Sequence, residues 1–183
     1  SSGDTLLLYN TGANTYSGIT TINDGLVRIN SSSAFGNASN TTTSHTIING
    51  GTLLVDIKGF TIAEPFTIAG DGISIASVSQ GAIKTLYGKN TLNGQITLGS
   101  DARINAGVGG ITTDSLLLSN IVTSSSPYTL TLFTNVGTRT RGVISGAGSI
   151  TKEGTDTLLV SAINTYTGST KITAGCLLLG ANY

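Results

Sequence analysis

The chain has 183 residues, of which 90 are Gly, Ser, Thr or Asn and only 10% are charged, a composition that favours strands and turns over helices. Nine basic and nine acidic residues cancel without forming a run of either sign, so the positive field needed to bind nucleic acids or anionic membranes is missing. No apolar run approaches the roughly 20 residues of a membrane-spanning helix, and we expect neither a nucleic-acid partner nor membrane insertion.

Short apolar segments rich in Thr, Ile, Val and Leu follow one another along the whole chain. Each has the length of a strand and is bounded by Gly, Asn, Asp or Ser, and none keeps a helical spacing of apolar residues over about 10 positions. The sequence therefore predicts an all-β protein. In chain order the segments are TLLLY (5–9), GITTI (18–22), LVRIN (26–30), HTIIN (45–49), TLLVDI (52–57), FTIAG (66–70), ISIASV (73–78), AIKTLYG (82–88), GQITLG (94–99), SLLLSNIV (115–122), YTLTLF (128–133), GVIS (142–145), TLLVS (157–161), STKITAG (169–175) and CLLLG (176–180).

Polar stretches interrupt this pattern in two places. The segment 29–45 is rich in Ser, Asn and Thr, which predicts a loop excursion near 31–44 within a single domain spanning 1–183. It contains N-glycosylation sequons at Asn30, Asn37 and Asn40, a number that chance explains in so Asn- and Ser-rich a chain. Pro127 would break strand pairing in a second excursion between the segments at 115–122 and 128–133.

A repeat decides between the all-β architectures. The pattern Asn-Thr-(Tyr/Leu)-x-Gly begins at Asn14, Asn90 and Asn164. Eight positions beyond each Asn lies an aliphatic residue, and six beyond lies a β-branched one: Ile22, Leu98 and Ile172, and Thr20, Ile96 and Thr170. The spacing of about 75 residues between copies fits three or four coils of about 19 to 25 residues in a parallel β-solenoid. We expect about seven to nine coils in a rod on the order of 35 to 45 Å long.

The residues 154–180, GTDTLLVSAINTYTGSTKITAGCLLLG, resemble the passenger-associated repeat of bacterial autotransporters. Residues 4–30 resemble a second copy, and residues 90–107 are similar to sequence found between such repeats. The resemblance implies a right-handed parallel β-helix, exported to the extracellular space or the bacterial cell surface, with an adhesive or purely structural role. It carries over strand, turn and core roles only, and no catalytic residue: Asn164, Tyr166, Gly168, Thr170, Ile172, Gly175 and Leu177 in one copy, and Asn14, Tyr16, Gly18, Thr20, Ile22, Gly25 and Leu26 or Val27 in the other.

An enzyme is the alternative, since parallel β-helices include polysaccharide lyases and glycosidases. Those reactions need carboxylates that converge, and coil stacking could bring together Asp56, Asp71 and Asp101. The nine acids are scattered singly, however, and ordinary turn and surface carboxylates account for them. We expect no enzymatic activity, no catalytic residue, no cofactor and no metal site.

Four other features have structural interpretations. Cys176 lies inside GCLLLG, so we expect it to be buried, with a reactive thiol or an intermolecular disulfide as the alternative. His45 has no partner set for zinc and is predicted to be a solvated or hydrogen-bonded residue at a strand edge. The Thr pairs at 129 and 131, 138 and 140, and 165 and 167 are assigned to solvated strand faces. Tyr16 and Tyr166 hold equivalent repeat positions, which predicts a repeated packing role.

Repeat-like sequence reaches both ends of the chain, and no cap is evident. The sequence contains no Met, which suggests a mature or excised segment. Two hypotheses follow: a piece of a longer rod whose ends meet adjoining repeats, or subunits that stack head to tail into a filament. The sequence thus predicts a non-enzymatic structural module that forms such a filament or an adhesin stalk, with a host-cell or glycan surface as a further partner.

Overall fold

The structure, a computed structural model, describes residues 5–9, 12–36, 44–107, 115–122 and 125–180. Asp4, Asn37, Asn40, Asp114 and Tyr183 lie outside these ranges, as do residues 37–43 of the excursion predicted near 31–44, which stays a prediction. Pro127 lies in a turn between two strands.

The described residues form nineteen strands and no helix. None of these ranges therefore offers a helix that could cross a lipid bilayer. The strands are β1 Thr5–Leu8, β2 Thr20–Ile22, β3 Leu26–Ile29, β4 Thr46–Asn49, β5 Thr52–Val55, β6 Thr61–Ile62, β7 Phe66–Gly70, β8 Ser74–Ile75, β9 Val78–Ser79, β10 Ile83–Thr85, β11 Lys89–Ala106, β12 Ser115–Val122, β13 Thr129–Thr134, β14 Gly137–Thr140, β15 Ile144–Ser145, β16 Ser149–Glu153, β17 Thr157–Val160, β18 Thr170–Ile172 and β19 Cys176–Leu179.

All these strands except β8 and β9 pair in parallel in one sheet that winds into a solenoid with three faces. Face A consists of β1, β3, β5, β10, residues 102–106 of β11, β13, β16 and β18. Face B consists of β2, β4, β7, residues 96–98 of β11, residues 121–122 of β12, and β15. Face C consists of β6, residues 89–92 of β11, residues 115–118 of β12, β14, β17 and β19.

The chain runs from face A to face C to face B and back to face A. Eight strands on face A make about seven turns, and at about 4.8 Å per strand the rod is about 34 Å long. The predicted all-β class and parallel β-solenoid are confirmed, at the lower end of the expected number of coils.

Alternation of side chains along each strand builds the core. Every second residue of a face points inward, and residues in register lie above one another as ladders. The middle coils bury these ladders almost completely. The main inward ladder of face A is Leu6, Val27, Leu53, Ile83, Ile104, Leu132, Lys152 and Ile172, and one on face C is Ile62, Leu92, Leu118, Thr140, Val160 and Leu179.

Candidate functional site at the ends of the solenoid

The Asn of the repeat joins neighbouring coils. Asn90 accepts the N–H of Phe60 from the preceding coil at 3.3 Å, and its amide nitrogen donates to Ile57 O at 2.8 Å. Asn164 repeats the first of these bonds, since it accepts the N–H of Ile144 at 2.9 Å, while its amide nitrogen donates to Ala162 O in its own coil at 2.8 Å. The side chain thus satisfies backbone groups of the coil on its N-terminal side, where strand pairing is interrupted at a corner.

The Gly of the repeat permits the same coils to approach closely. A Cβ on Gly94 would lie 2.0 Å from Glu64 O, and one on Gly168 would lie 2.3 Å from Gly148 O. Both carbonyls belong to the preceding coil, so any larger residue would push the coils apart. At Gly18, the same place in the first repeat, no atom of the described residues lies within 4 Å of the equivalent point. Its open space is the space that a preceding coil occupies in the other two repeats.

The Tyr of the repeat forms a hydrogen bond with the Thr at the β-branched position four residues later. The hydroxyls of Tyr16 and Thr20 lie 2.9 Å apart, and those of Tyr166 and Thr170 share the same hydrogen bond. Tyr166 also packs against the core. The predicted packing role of this Tyr is therefore seen in the second copy, whereas Tyr16 shares the hydrogen bond but is 44% exposed.

Both ends of the solenoid present core positions to solvent. At the N-terminal end Leu6 is 57% exposed beside an open cavity of about 490 Å³, whose lining includes Leu8, Ile22 and Val27. At the other end Ile172 and Leu179 close two inward ladders and are 52% and 75% exposed. The two ends therefore carry apolar surfaces of the same kind that coils bury between them elsewhere.

A comparison with models of protein families found a match near each end of the chain. A model described as passenger-associated-transport-repeat matches residues 2–29 and 150–179. Both segments are therefore similar to the passenger-associated-transport repeat. No curated protein and no solved structure matches the chain. The predicted resemblance is confirmed, and with the β-solenoid it supports a structural module of an autotransporter passenger.

The two passenger-associated-transport repeats occupy the terminal coils but different faces. In the first, β2 lies on face B and β3 on face A. In the second, the equivalent strands β18 and β19 lie on faces A and C. Equivalent strands of the two copies therefore lie one face apart. The repeat determines how a coil contacts its neighbours, and it does not determine the face of the rod on which its strands lie. The ambiguity between Leu26 and Val27 is also resolved, because Val27 points inward and is buried.

The three candidate acids are not brought into one site. Asp56 pairs with Arg28 where face A turns into face C. Asp101 is exposed at the corner where face B turns into face A and accepts the N–H of Thr129, and Asp71 is exposed at the same corner after β7. Within the described ranges, no group of three or more His, Cys, Asp or Glu side chains could hold a metal ion.

Three side-chain predictions are wrong or incomplete. Cys176 is exposed, because the alternation along β19 gives the inward position to Leu177. Thr138 and Thr140 are buried, because β14 turns these two positions to the core and Arg139 outward. His45 precedes β4, as expected for a strand edge, but its Nδ1 is buried and makes no hydrogen bond to the residues that the structure describes.

Two buried ionisable residues were not predicted from the sequence. Glu64 is 5% exposed, accepts a hydrogen bond from Thr46 at 2.7 Å, and has a second oxygen that finds no partner within the described part of the chain. Burial raises the pKa of the Glu64 carboxyl to about 7. Its place between Ile62 and Phe66, in phase with both, was the signal that could have identified it.

Lys152 is the second such residue. It occupies the face A ladder between Leu132 and Ile172 and is fully buried. Its ammonium donates to the carbonyls of Glu153, Gly154 and Ala174 at 2.6, 2.8 and 3.1 Å. Burial lowers the pKa of Lys152, and Asp156 partly opposes this effect. The ammonium thereby ties the turn after β16 to the turn after β18.

Proposed function

We propose that this chain is a rigid, non-enzymatic rod of a bacterial surface or extracellular protein, and that its ends dock head to tail on further copies of the chain. The passenger repeat family implies secretion to the cell surface or extracellular space and is not a known enzymatic family. The observation that carries the proposal is the open space at Gly18, where the other two repeats hold the carbonyl of a preceding coil.

The apolar ladders favour such docking. If face A continues from one copy to the next, Ile172 lies against Leu6 and extends the inward ladder by the same kind of contact that joins neighbouring coils. On the outer side, Lys171 then lies over Thr5, so no like charges are opposed. This contact joins unlike ends and does not close, which produces linear filaments.

Electron microscopy and sedimentation of the 183-residue chain test the proposal. We expect filaments that lengthen with concentration and have an axial repeat of about 38 Å, because each copy adds eight strands to face A at about 4.8 Å per strand. Leu179→Asp places a charge at the end of the face C ladder and is expected to abolish growth. Val143→Asp changes an exposed aliphatic residue on the side of the rod and is the matched control. Discrete short particles at high concentration would contradict end-to-end docking.

An adhesin stalk is the second candidate, supported by the continuous parallel ladders that make the rod stiff. In that role adjoining repeats of the same chain cover the ends, and a host-cell or glycan surface is the partner. The two roles differ in a measurement on the same purified chain. Binding to cells or glycan arrays by particles that remain single rods at high concentration would favour the stalk over the filament.

A further inference from the structure

In two of the three repeats, the Asn and the residue that follows it bind one residue of the preceding coil. The side chain of Asn90 accepts the N–H of Phe60, and the backbone N–H of Thr91 donates to Phe60 O at 2.8 Å. The side chain of Asn164 accepts the N–H of Ile144, and the backbone N–H of the next residue donates to Ile144 O at 2.9 Å. Each of these repeats therefore pairs both backbone groups of one residue in the coil before it.

In the first repeat the same two groups have no partner within the described part of the chain. The amide nitrogen of Asn14 donates to Ala34 O of the following coil at 2.7 Å, and its backbone N–H donates to Ser33 O at 3.3 Å. The carboxamide oxygen of Asn14 and the backbone N–H of Thr15 are left unpaired there. These are the groups that hold a preceding coil in the other two repeats, so they can pair with a strand that docks at this end.

At the other end of the rod, the backbone of Leu177 offers the complementary groups. Along a strand of a parallel sheet, the N–H and C=O of one residue point to one neighbouring strand, and those of the next residue point to the other side. The N–H groups of Cys176 and Gly180 both donate to carbonyls of the preceding coil, at 3.4 and 3.0 Å. The N–H and C=O of Leu177 therefore point away from that coil, towards the end of the rod.

Strand register brings these groups together when a second copy stacks without rotation. The step from Ala34 to Phe60 follows from β3 and β5, whose paired last residues lie five positions before each of them. A copy stacked with face A continuous therefore places its Asn14 over Leu177 of the copy below, as Asn90 lies over Phe60. In register order, this ladder of face C consists of Asn14, Ala34, Phe60, Asn90, Leu116, Thr138, Leu158 and Leu177.

The neighbouring side chains fit the same register. The adjacent inward ladder of face C ends at Leu179, which is 75% exposed, and it meets Tyr16 of the second copy, which is 44% exposed. On face A, Ile172 meets Leu6. Both pairs bury apolar surface, but apolar contacts have no preferred direction. Hydrogen bonds are directional, so the pairing of Asn14 with Leu177 can fix the rotation between copies.

We propose that Asn14 determines the register of end-to-end docking. Its carboxamide oxygen accepts the N–H of Leu177 from a second copy, and the N–H of Thr15 donates to the carbonyl of the same Leu177. The contact repeats between two copies what Asn90 and Asn164 do within one. This inference rests on the proposed end-to-end docking and adds to it a single orientation, in which face A of one copy continues as face A of the next.

Disulfide formation tests the register. Ala13 and Cys176 are the residues before Asn14 and Leu177, and both are exposed. The proposed register aligns them at about 4.8 Å between Cα atoms, within the range that a disulfide spans. We expect oxidised filaments of Ala13→Cys to give a ladder of covalent multimers beyond the dimer on a denaturing gel. The parent, with its single thiol, cannot form multimers larger than a dimer.

The matched control places a thiol on another face. Thr21 is exposed on β2 of face B, and Thr21→Cys approaches Cys176 only if the second copy is rotated so that its face B follows face C. We expect no ladder from this variant. A ladder from Thr21→Cys, or filaments of Ala13→Cys that give no ladder, overturns the proposed register and leaves end-to-end docking intact. A parent chain that forms no filaments overturns both proposals.

Two substitutions of Asn14 test the role of its oxygen. Asn14→Leu and Asn14→Asp both lose the bond to Ala34 O, but only Asn14→Asp keeps an acceptor for the Leu177 N–H. We expect filaments of Asn14→Leu to need about tenfold more protein than those of Asn14→Asp, because an unpaired N–H is buried at the contact. Urea unfolding of the dissociated rods, with equal stability expected, shows that both variants keep the fold. Equal filament thresholds in the two variants overturn the role of Asn14.

Discussion

At the scale of single residues, Glu64 makes stability depend on pH. Its pKa is about 7 in the folded chain against 4.5 for an ordinary carboxyl, so the folded state favours the protonated form. The stability is fullest below about pH 4.5, falls as pH rises towards 7, and is lower by about 3 kcal/mol above that. We expect Glu64→Gln to remove this decline and to stabilise the chain at pH 8.

Urea unfolding at pH 5 and pH 8 measures this effect. The control is Glu153→Gln, which removes a partly exposed carboxylate paired with Arg103 on the outside of face A. Equal slopes of stability against pH in the parent and in Glu64→Gln would contradict the assignment.

The repeat glycines offer a matched pair of substitutions. Gly94→Ala places a methyl group 2.0 Å from Glu64 O, and the coils must separate, which we expect to cost about 2–3 kcal/mol of unfolding free energy. Gly18→Ala meets open space and is expected to change the stability of the single rod by less than about 0.5 kcal/mol.

The two glycine substitutions also distinguish an effect on folding from an effect on end-to-end docking. If a further copy covers the N-terminal end, Gly18→Ala shortens the filaments although the rod remains stable. Denaturant unfolding and electron microscopy of the two variants provide both measurements. A loss of stability in Gly18→Ala equal to that in Gly94→Ala would show that the two glycines do not play the contrasting parts described above.

The burial of single residues could have been predicted in three cases, Glu64, Lys152 and Thr138. Each lies two positions from an apolar residue of the same strand or turn, so alternation alone places it inside. Their polar or charged side chains predicted exposed positions, whereas the alternation of inward and outward side chains predicts buried ones. What holds Lys152 in place could not be predicted, because Ala174 O belongs to the next coil and its position depends on how the coils are stacked.

At the scale of elements, the short apolar segments predicted most strands, and the Asn-Thr repeat predicted their stacking. The face on which each strand lies could not be read from the sequence, because the coils differ in length, as the pairs Leu53–Ile83 and Lys152–Ile172 show. The segment ISIASV has the composition of a coil strand and instead folds back on itself as β8 and β9. Its turn, Ala76–Ser77, lacks the Asn-Gly signal that identifies such hairpins.

The hairpin turn therefore gives a prediction of increased stability. Ala76→Asn with Ser77→Gly replaces two residues strained at positive φ by residues that adopt this conformation readily. We expect a gain of about 1–2 kcal/mol, measured by thermal unfolding. Ala76→Val, with a β-branched side chain at the same position, is the control and should lose stability. A double variant no more stable than the parent would show that the turn is not strained.

At the scale of the whole molecule, stability is distributed along the rod because each coil contacts only its neighbours. The middle coils are covered on both sides, whereas the last coil contains Ile172 and Leu179 in ladder positions that remain more than half exposed. Local opening should therefore begin at the ends, which have the fewest buried contacts.

Hydrogen exchange followed by mass spectrometry measures local opening at the ends and tests whether docking suppresses it. In dilute solution we expect peptides from 170–179 and 5–8 to exchange faster than those from 89–106 in the middle of the rod, because a terminal coil opens without breaking contacts on its outer side. At high concentration, docked ends should slow exchange at 170–179 and 5–8 and leave 89–106 unchanged. Leu179→Asp should abolish this dependence on concentration, and Val143→Asp should retain it. Protection that rises equally along the whole rod, or that rises in Leu179→Asp as well, would mean that the copies do not associate through their ends.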